Sequence, residues 1–310
     1  MKKYGLLFAL ATVFLWGNAS FIAPLQTTFF QEVNEATLYK KHYFHFLTSV
    51  CQENESCIYP TIQRLKSWKS VQENQFFQKA KQSYYQRVLL TDEELNSIQK
   101  YLFKIVASLP IQSSQFLSFL DLSQQRLSLF FYDSTTQTLH LIGSDLVSTG
   151  NMEKEKTITL GDDHYLKTPQ GIFENLQGWR SKGEYNEDKQ VMPYGKKGRF
   201  VFYFGRQKSI RYQIFNGDKS KIKNPQEAAI IHDYLQFALH AHESPLSLGE
   251  PHSHGCIRIS NELNIFLDEF LILHANNIQN GRWKNPTAKK PQNFPKLPFT
   301  GKYLIIVDKI

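Results

Sequence analysis

Apolar positions along the chain keep a helical spacing up to about residue 110 and an alternating one after it. From Phe30 to Leu109 the sequence is rich in Gln, Lys, Tyr and Phe and nearly free of glycine. Its clearest element opens at Thr91-Asp92-Glu93-Glu94, where the threonine can cap the first turn while Glu94 reaches back to it. Leu95, Ile98, Leu102, Ile105 and Leu109 then recur at three and four residues, and Pro110 ends the pattern. One apolar helix face is predicted there. Trp68, Phe76, Phe77, Tyr84 and Tyr85 belong to the same region and suit packing between helices or a sugar-binding groove.

Beyond Pro110, Leu127, Leu129 and Phe131 alternate with their neighbours, Asp133-Ser134-Thr135-Thr136 makes a turn, and Leu139, Leu141 and Leu146 continue on the return. This predicts a hairpin. Further strands are expected at residues 200–204, 211–215 and 303–307, and a Pro-, Asn- and Lys-rich stretch around 276–300 reads as a surface insertion before the last strand. The fold class is α+β: an all-helical accessory region over residues 20–110, then a mainly β domain over 111–310.

The N-terminus changes this picture by adding a compartment. Met1-Lys2-Lys3, an apolar run from Leu6 to Trp16, and Gly17-Asn18-Ala19 have the charge, length and small residues of a cleavable secretory signal, assigned to residues 1–19. The run is shorter than the ~20 residues that span a bilayer, and no other stretch is apolar enough to span. A periplasmic location is expected. Loss of Lys2 and Lys3 takes the formal charge from +8 to +6, a sign that fits nucleic acid, anionic lipid headgroups or carboxylate-rich peptidoglycan; export argues against nucleic acid as partner. Of the three cysteines, Cys51 and Cys57 bracket a short polar loop and could pair in an oxidising compartment. Cys256 is the odd one, and an unpaired thiol in an exported chain favours chemistry over packing.

The chemistry concentrates in Leu239-His240-Ala241-His242 and Gly249-Glu250-Pro251-His252-Ser253-His254-Gly255-Cys256-Ile257-Arg258. A cysteine attacks as thiolate, so it needs an imidazole to take its proton and return it to the leaving amine. Gly255 lets the backbone bend so that N–H groups near the thiol can face a developing oxyanion. Ser260 can cap a helix burying Leu263, Phe266, Leu267 and Phe270, which sets Cys256 just ahead of a helix N-terminus that would favour the thiolate.

Ser253-His254-Gly255-Cys256-Ile257-Arg258, with Gly249, Pro251 and His240 upstream, resembles the signature of YkuD-type L,D-transpeptidases. Val147-Ser148-Thr149-Gly150 and Lys167-Thr168-Pro169-Gln170-Gly171-Ile172-Phe173 look like that family's substrate-side strands and turn. The resemblance runs from about residue 122 to 276 plus the final strand. It implies a mainly β catalytic domain with a short helix after the nucleophile, acting on peptidoglycan stem peptides without a cofactor or metal. It further implies Cys256 as nucleophile, His240 as proton acceptor and donor, His254 and Gly255 as shapers of the site, and Arg258 as a substrate-orienting or loop-bracing group. Ser253 falls within the same motif. Ala241 and His242 depart from the family pattern, and His242 is a second candidate base.

Two other classes remain open on the residues alone. Two His-x-His pairs, His240/His242 and His252/His254, with Cys256 could hold zinc for a wall hydrolase; a basic, helix-bearing wall-binding protein needs no catalysis. Within the thiol class, an amine acceptor gives transpeptidation and water gives L,D-carboxypeptidase trimming. The N-terminal helices are a candidate lid or homodimer contact.

Overall fold

The computed structural model describes Arg87 and residues 90–153, 165–187, 192–242 (without 214, 219, 221, 223 and 225–227), 248–291 and 299–310. The signal segment, the helices expected before residue 87, Cys51 and Cys57 lie outside the described residues.

A five-stranded sheet runs in the order β3-β2-β1-β11-β4, built from β1 (Gln115–Asp121), β2 (Arg126–Asp133), β3 (Thr138–Leu146), β4 (Gly171–Glu174) and β11 (Tyr303–Val307). A second sheet, in the order β5-β6-β7-β8, comprises β5 (Trp179–Arg180), β6 (Phe200–Tyr212), β7 (Ile230–Ala241) and β8 (Ile257–Ile259). Helix α1 (Asp92–Ser108) precedes the sheets, α2 (Asn261–Glu269) follows β8, and β9 (Ile278–Gln279) and β10 (Arg282–Trp283) form a small ribbon.

Strand parity explains two cores. Even residues of β1 and β11, including Phe116, Leu120, Leu304 and Ile306, join Leu127, Leu129 and Phe131 of β2 against Phe200, Phe202, Phe204, Phe237, Leu239, Ile257 and Ile259 of the second sheet. Odd residues of β1 and β11, including Leu117, Phe119, Tyr303 and Ile305, join Phe130 and Tyr132 against Leu95, Ile98, Leu102 and Val106 of α1. With both faces covered, every residue of β2 is buried. The boundary expected at residue 110 thus falls between α1 and β1, two elements that the second core holds together.

The capping box forms as the sequence suggests: Glu94 N–H donates to Thr91 Oγ1 and Thr91 N–H to Glu94 Oε2. The same carboxylate accepts from Arg126 Nη2 at 2.7 Å, and the Arg126 side chain is only 3% exposed. Glu94 therefore caps α1 and neutralises a buried cation in β2. Burial pushes its carboxyl up, but the bonds from Arg126 and Thr91 outweigh this and leave it below its ordinary 4.5.

Two expectations are corrected. Residues 200–204 and 211–215 are not two strands, because β6 continues unbroken to Tyr212; the intervening polar residues broke the apolar alternation, being polar because that part of the strand faces solvent. The stretch around 276–300 does hold regular structure, the β9–β10 ribbon, and buries Asn277 and Asn285. Beneath it, Arg180 of β5 makes two bonds to Asp268 of α2, at 2.7 and 3.2 Å, and His274 Nε2 lies 3.2 Å from the same carboxylate. Asn277 Nδ2 donates to His274 Nδ1, so the imidazole hydrogen sits on Nε2, facing Asp268. Burial raises the Asp268 carboxyl, yet His274 and Arg180 bring it below its ordinary value.

Replacement of Glu94 by Gln keeps a capping oxygen and removes the charge beside Arg126. Urea unfolding at neutral pH is expected to show a loss of about 2 kcal/mol. Because the folded-state pKa of Glu94 is depressed, its contribution is complete above 4.5 and disappears as pH falls through the folded value; the gap between wild type and Glu94→Gln should close on that acid side.

Candidate active site

The parallel pairing of β7 with β8 sets the site. Leu239 lies opposite Ile257, His240 opposite Arg258 and Ala241 opposite Ile259. Leu239, Ile257 and Ile259 point into the core, so His240 and Arg258 share the other face. One step back along the same register, Cys256 falls beside Ala238, again on the His240 face. The Ala238 N–H donates to the sulfur, and Sγ lies 3.8 Å from the Gln236 carbonyl oxygen.

His240 is buried, and its Nδ1 is 2.9 Å from the Ala241 carbonyl oxygen. A carbonyl only accepts, so Nδ1 carries the hydrogen and Nε2 is left with its lone pair. The Tyr194 ring meets the imidazole edge to face at 5.1 Å, and Trp179 meets Tyr194 at 5.9 Å and Tyr203 at 5.7 Å. This aromatic wall removes water from His240. Burial, above all, pushes its pKa down from 6.5 to about 3, with Arg258 and His242 adding to the drop against the pull of the Ala241 carbonyl. Burial also pushes the Cys256 thiol up, partly countered by the Ala238 N–H and by Arg258. At rest the site holds a neutral thiol and a neutral imidazole.

The loop before the cysteine is fixed by short-range bonds. Ser253, almost wholly buried, accepts from the Gly255 N–H at 3.0 Å and donates to the Cys256 carbonyl. Thr168 Oγ1 accepts from the Gly150 N–H at 2.8 Å and donates to the Gly255 carbonyl at 2.6 Å. Gly255 has φ +139, and a Cβ there would stand 2.8 Å from Phe237 Cε1. Only glycine fits. Beyond the loop, Ser148 exchanges both backbone bonds with Arg258. Val147–Gly150 and Thr168, picked out in the sequence, thus form the scaffold behind Cys256.

Every site residue expected from sequence lies in this region, though with different surroundings. Cys256, His240 and Arg258 share a face. His242 is on the same face but four residues from the Ala238 position, roughly 13 Å along a strand against roughly 7 Å for His240. His254 stacks on Tyr165 at 4.2 Å, and its carbonyl accepts from Leu166 N–H, which holds the 165–168 segment. His252 faces Glu250 at 3.4 Å. Gly255 and Ser253 brace the loop, and the Gly255 N–H expected to serve an oxyanion is already donated to Ser253. The helix-dipole expectation is also corrected. Ser260 does cap α2, accepting from Leu263 N–H, but β8 intervenes and puts that helix end roughly 10 Å or more from Cys256. Among the described residues, no group of three or more His, Cys, Asp or Glu side chains is arranged to hold a metal, so the two His-x-His pairs do not converge.

Sequence reasoning missed Tyr194, Trp179, Tyr203 and Tyr165. No local motif marks them, since they reach the site from separate segments; the only signal was aromatic abundance.

A partly exposed thiol beside a buried imidazole, on the open face of a sheet backed by a second sheet, defines a thiol–imidazole site. Residues 116–268 match the YkuD family model, and this region is an L,D-transpeptidase catalytic domain of that type. A comparison with curated proteins finds no match. Among solved structures, the chain is similar to an L,D-transpeptidase from Mycobacterium smegmatis, at 13% identity over 50% of this chain and 53% of that one, with a TM-score of 0.24. It is also similar to the helical cell shape determining protein Pgp2 from Campylobacter jejuni, at 15% identity over 68% and 56% of the two chains, with a TM-score of 0.30. The chain therefore spans little more than half the length of either.

The bridging role of Thr168 is testable. Thr168→Val keeps the shape but strands the half-buried Gly150 N–H and the buried Gly255 carbonyl, and is expected to cost about 1–3 kcal/mol in urea unfolding. Thr168→Ser keeps the hydroxyl and should retain most of that stability.

Proposed function

We propose that this L,D-transpeptidase-family protein is an exported peptidoglycan enzyme that works through a Cys256 thioester on tetrapeptide stems. The observation that carries the proposal is the register placing Sγ at the Ala238 N–H, with the acceptor nitrogen of His240 two residues along the same face.

The sulfur attacks the carbonyl between the third stem residue and the terminal D-amino acid, and its proton passes to His240 Nε2. The C–N bond breaks, His240 returns the proton to the leaving amine, and the acyl group stays on sulfur. An acceptor amine then attacks the thioester, giving its proton through His240 to the departing thiolate. Water in place of the amine gives L,D-carboxypeptidase trimming by the same steps. Since both partners start neutral, proton transfer accompanies attack rather than preceding it. Arg258, near enough to lower the thiol's pKa, stabilises the negative sulfur as it develops. The oxyanion falls to the Cys256 N–H, because the neighbouring Gly255 N–H is occupied by Ser253.

Export rests on Lys2-Lys3, the Leu6–Trp16 run and Gly17-Asn18-Ala19, and places the enzyme in the periplasm with its substrate. Among the described residues no helix is long and apolar enough to cross a membrane.

Purified tetrapeptide muropeptides, with and without an acceptor strand, test the reading. Wild type should release the terminal D-amino acid and form cross-linked product with acceptor present; Cys256→Ala should abolish both. His240→Ala should lower kcat by roughly 10²–10⁴-fold, and His242→Ala by only about threefold or less, given its extra strand distance. Full activity in Cys256→Ala overturns the mechanism.

The pH profile provides a second check. His240 must be neutral to take the proton, and its folded-state pKa lies below 6.5, at about 3. Activity should therefore persist through pH 5, and an acid limb of kcat/KM near 6.5 would contradict the neutral pair.

A further inference from the structure

Strand β7 is longer than its pairing with β8 requires. Only residues 239–241 pair with β8, whereas Ile230 to Gln236 continue as one arm of a hairpin with β6. Since side chains alternate, Ile230, His232, Tyr234 and Gln236 lie on the face that carries Ala238 and His240. All four are exposed, while Ile231, Asp233 and Leu235 on the opposite face are partly buried. An open strip thus runs from the Cys256 sulfur along the hairpin.

Strand β6 adds charge to this strip by means of a bulge. Tyr203 pairs with Ala238 but Arg206 with Gln236, so one extra residue is inserted on β6 between these pairs. Gly205, with φ +91, takes the backbone conformation the insertion needs. The insertion reverses the parity of the strand. Odd residues such as Tyr203 face the site before it, and even residues, Arg206 and Lys208, face it afterwards. Both are exposed. Lys208 lies opposite Tyr234, and the Arg206 guanidinium sits over the Tyr234 ring at 5.6 Å. The nearby carboxylate, Asp233, lies on the other face and is held there by Arg211 at 2.7 Å. Neither Arg206 nor Lys208 forms an ion pair with a described residue, and the strip is cationic.

The direction of the strip identifies its occupant, given the proposed thioester chemistry on which this inference rests. The leaving amine and the incoming amine must both exchange protons with His240, so they lie on the His240 side of the sulfur, near Tyr194. The acyl portion must leave the tetrahedral centre the other way, towards Gln236 and Tyr234. A three-residue acyl stem spans roughly 10 Å when extended, and Tyr234 lies roughly 13 Å along the strand from the Ala238 position. We propose that Arg206, Lys208 and Tyr234 form the acyl-donor subsite, in which the two cations hold carboxylates of the donor stem and the Tyr234 ring packs on its backbone.

Steady-state kinetics with the full chain, a tetrapeptide donor and the same donor with its side-chain carboxylates amidated tests the subsite. For wild type, amidation should raise the donor KM roughly fivefold, as expected for two solvent-facing ion pairs, and 0.5 M salt should shrink that difference. Arg206→Gln/Lys208→Gln should raise KM for the acidic donor by a similar factor, leave KM for the amidated donor unchanged, and leave the rate of Cys256 alkylation by iodoacetamide as in wild type. A double variant that still prefers the acidic donor, or that loses both donors equally, overturns the subsite while the catalytic reading stands. No turnover of either donor by wild type overturns the catalytic reading itself, and the subsite with it.

Discussion

Three residue pairs between β7 and β8 fix where Cys256 lies relative to His240, and most of the molecule serves to hold those pairs. The ladder is short, so β8 is supported on its other edge by Ser148, which exchanges two backbone bonds with Arg258. Ile257 and Ile259 drive it into the core against Leu239 and Phe237. A slip of one residue would turn Cys256 into that core and expose the isoleucines, so burial of two side chains defines the register of the site. The glycine at 255 then allows the chain to turn against Phe237 immediately before the thiol.

The packing around this ladder also decides its electrostatics. Aromatic rings brought by β5, β6 and the segment containing Tyr194 exclude water from His240, and the position of β5 depends in turn on the Arg180–Asp268–His274 cluster. Desolvation keeps the imidazole neutral and the thiol protonated. A protonated thiol is less readily oxidised than a thiolate would be. The same desolvation opposes formation of a negative sulfur, and Arg258 and the Ala238 N–H are the groups that offset it.

Much of this was legible in the sequence, for identifiable reasons. The helix at residues 92–108 announced itself through a capping box and a three-four stripe, and the β2–β3 hairpin through alternation and a turn. Cys256 stood out because glycine, histidine and an odd cysteine count coincide. The motif's spacing already put His240 ahead of His242, but the register that sets His240 two residues from the Ala238 position was not legible, because it depends on how two strands pair across a long sequence gap. Strand β6 was misread for a related reason: its outer half is polar on the face that meets solvent, and a one-residue bulge reverses the pattern midway. Local periodicity reports what a segment buries, and it fails where a strand leaves the core.

That departure from the core is where charge enters the face that carries Cys256. Had β6 kept a regular ladder beyond Tyr203, Gly205 and Gln207 would face the site and Arg206 and Lys208 would point to the opposite side. The bulge exchanges these sets without altering β7, whose carbonyl at Gln236 and N–H at Ala238 stay beside the sulfur. The charge along the strip can therefore vary with the sequence of β6 while the thiol–imidazole geometry, fixed by β7 and β8, stays constant. The thiol–imidazole pair and the cationic strip lie on one continuous face yet depend on different strand pairings, so a substitution at Arg206 or Lys208 changes the strip without shifting the register that places Cys256.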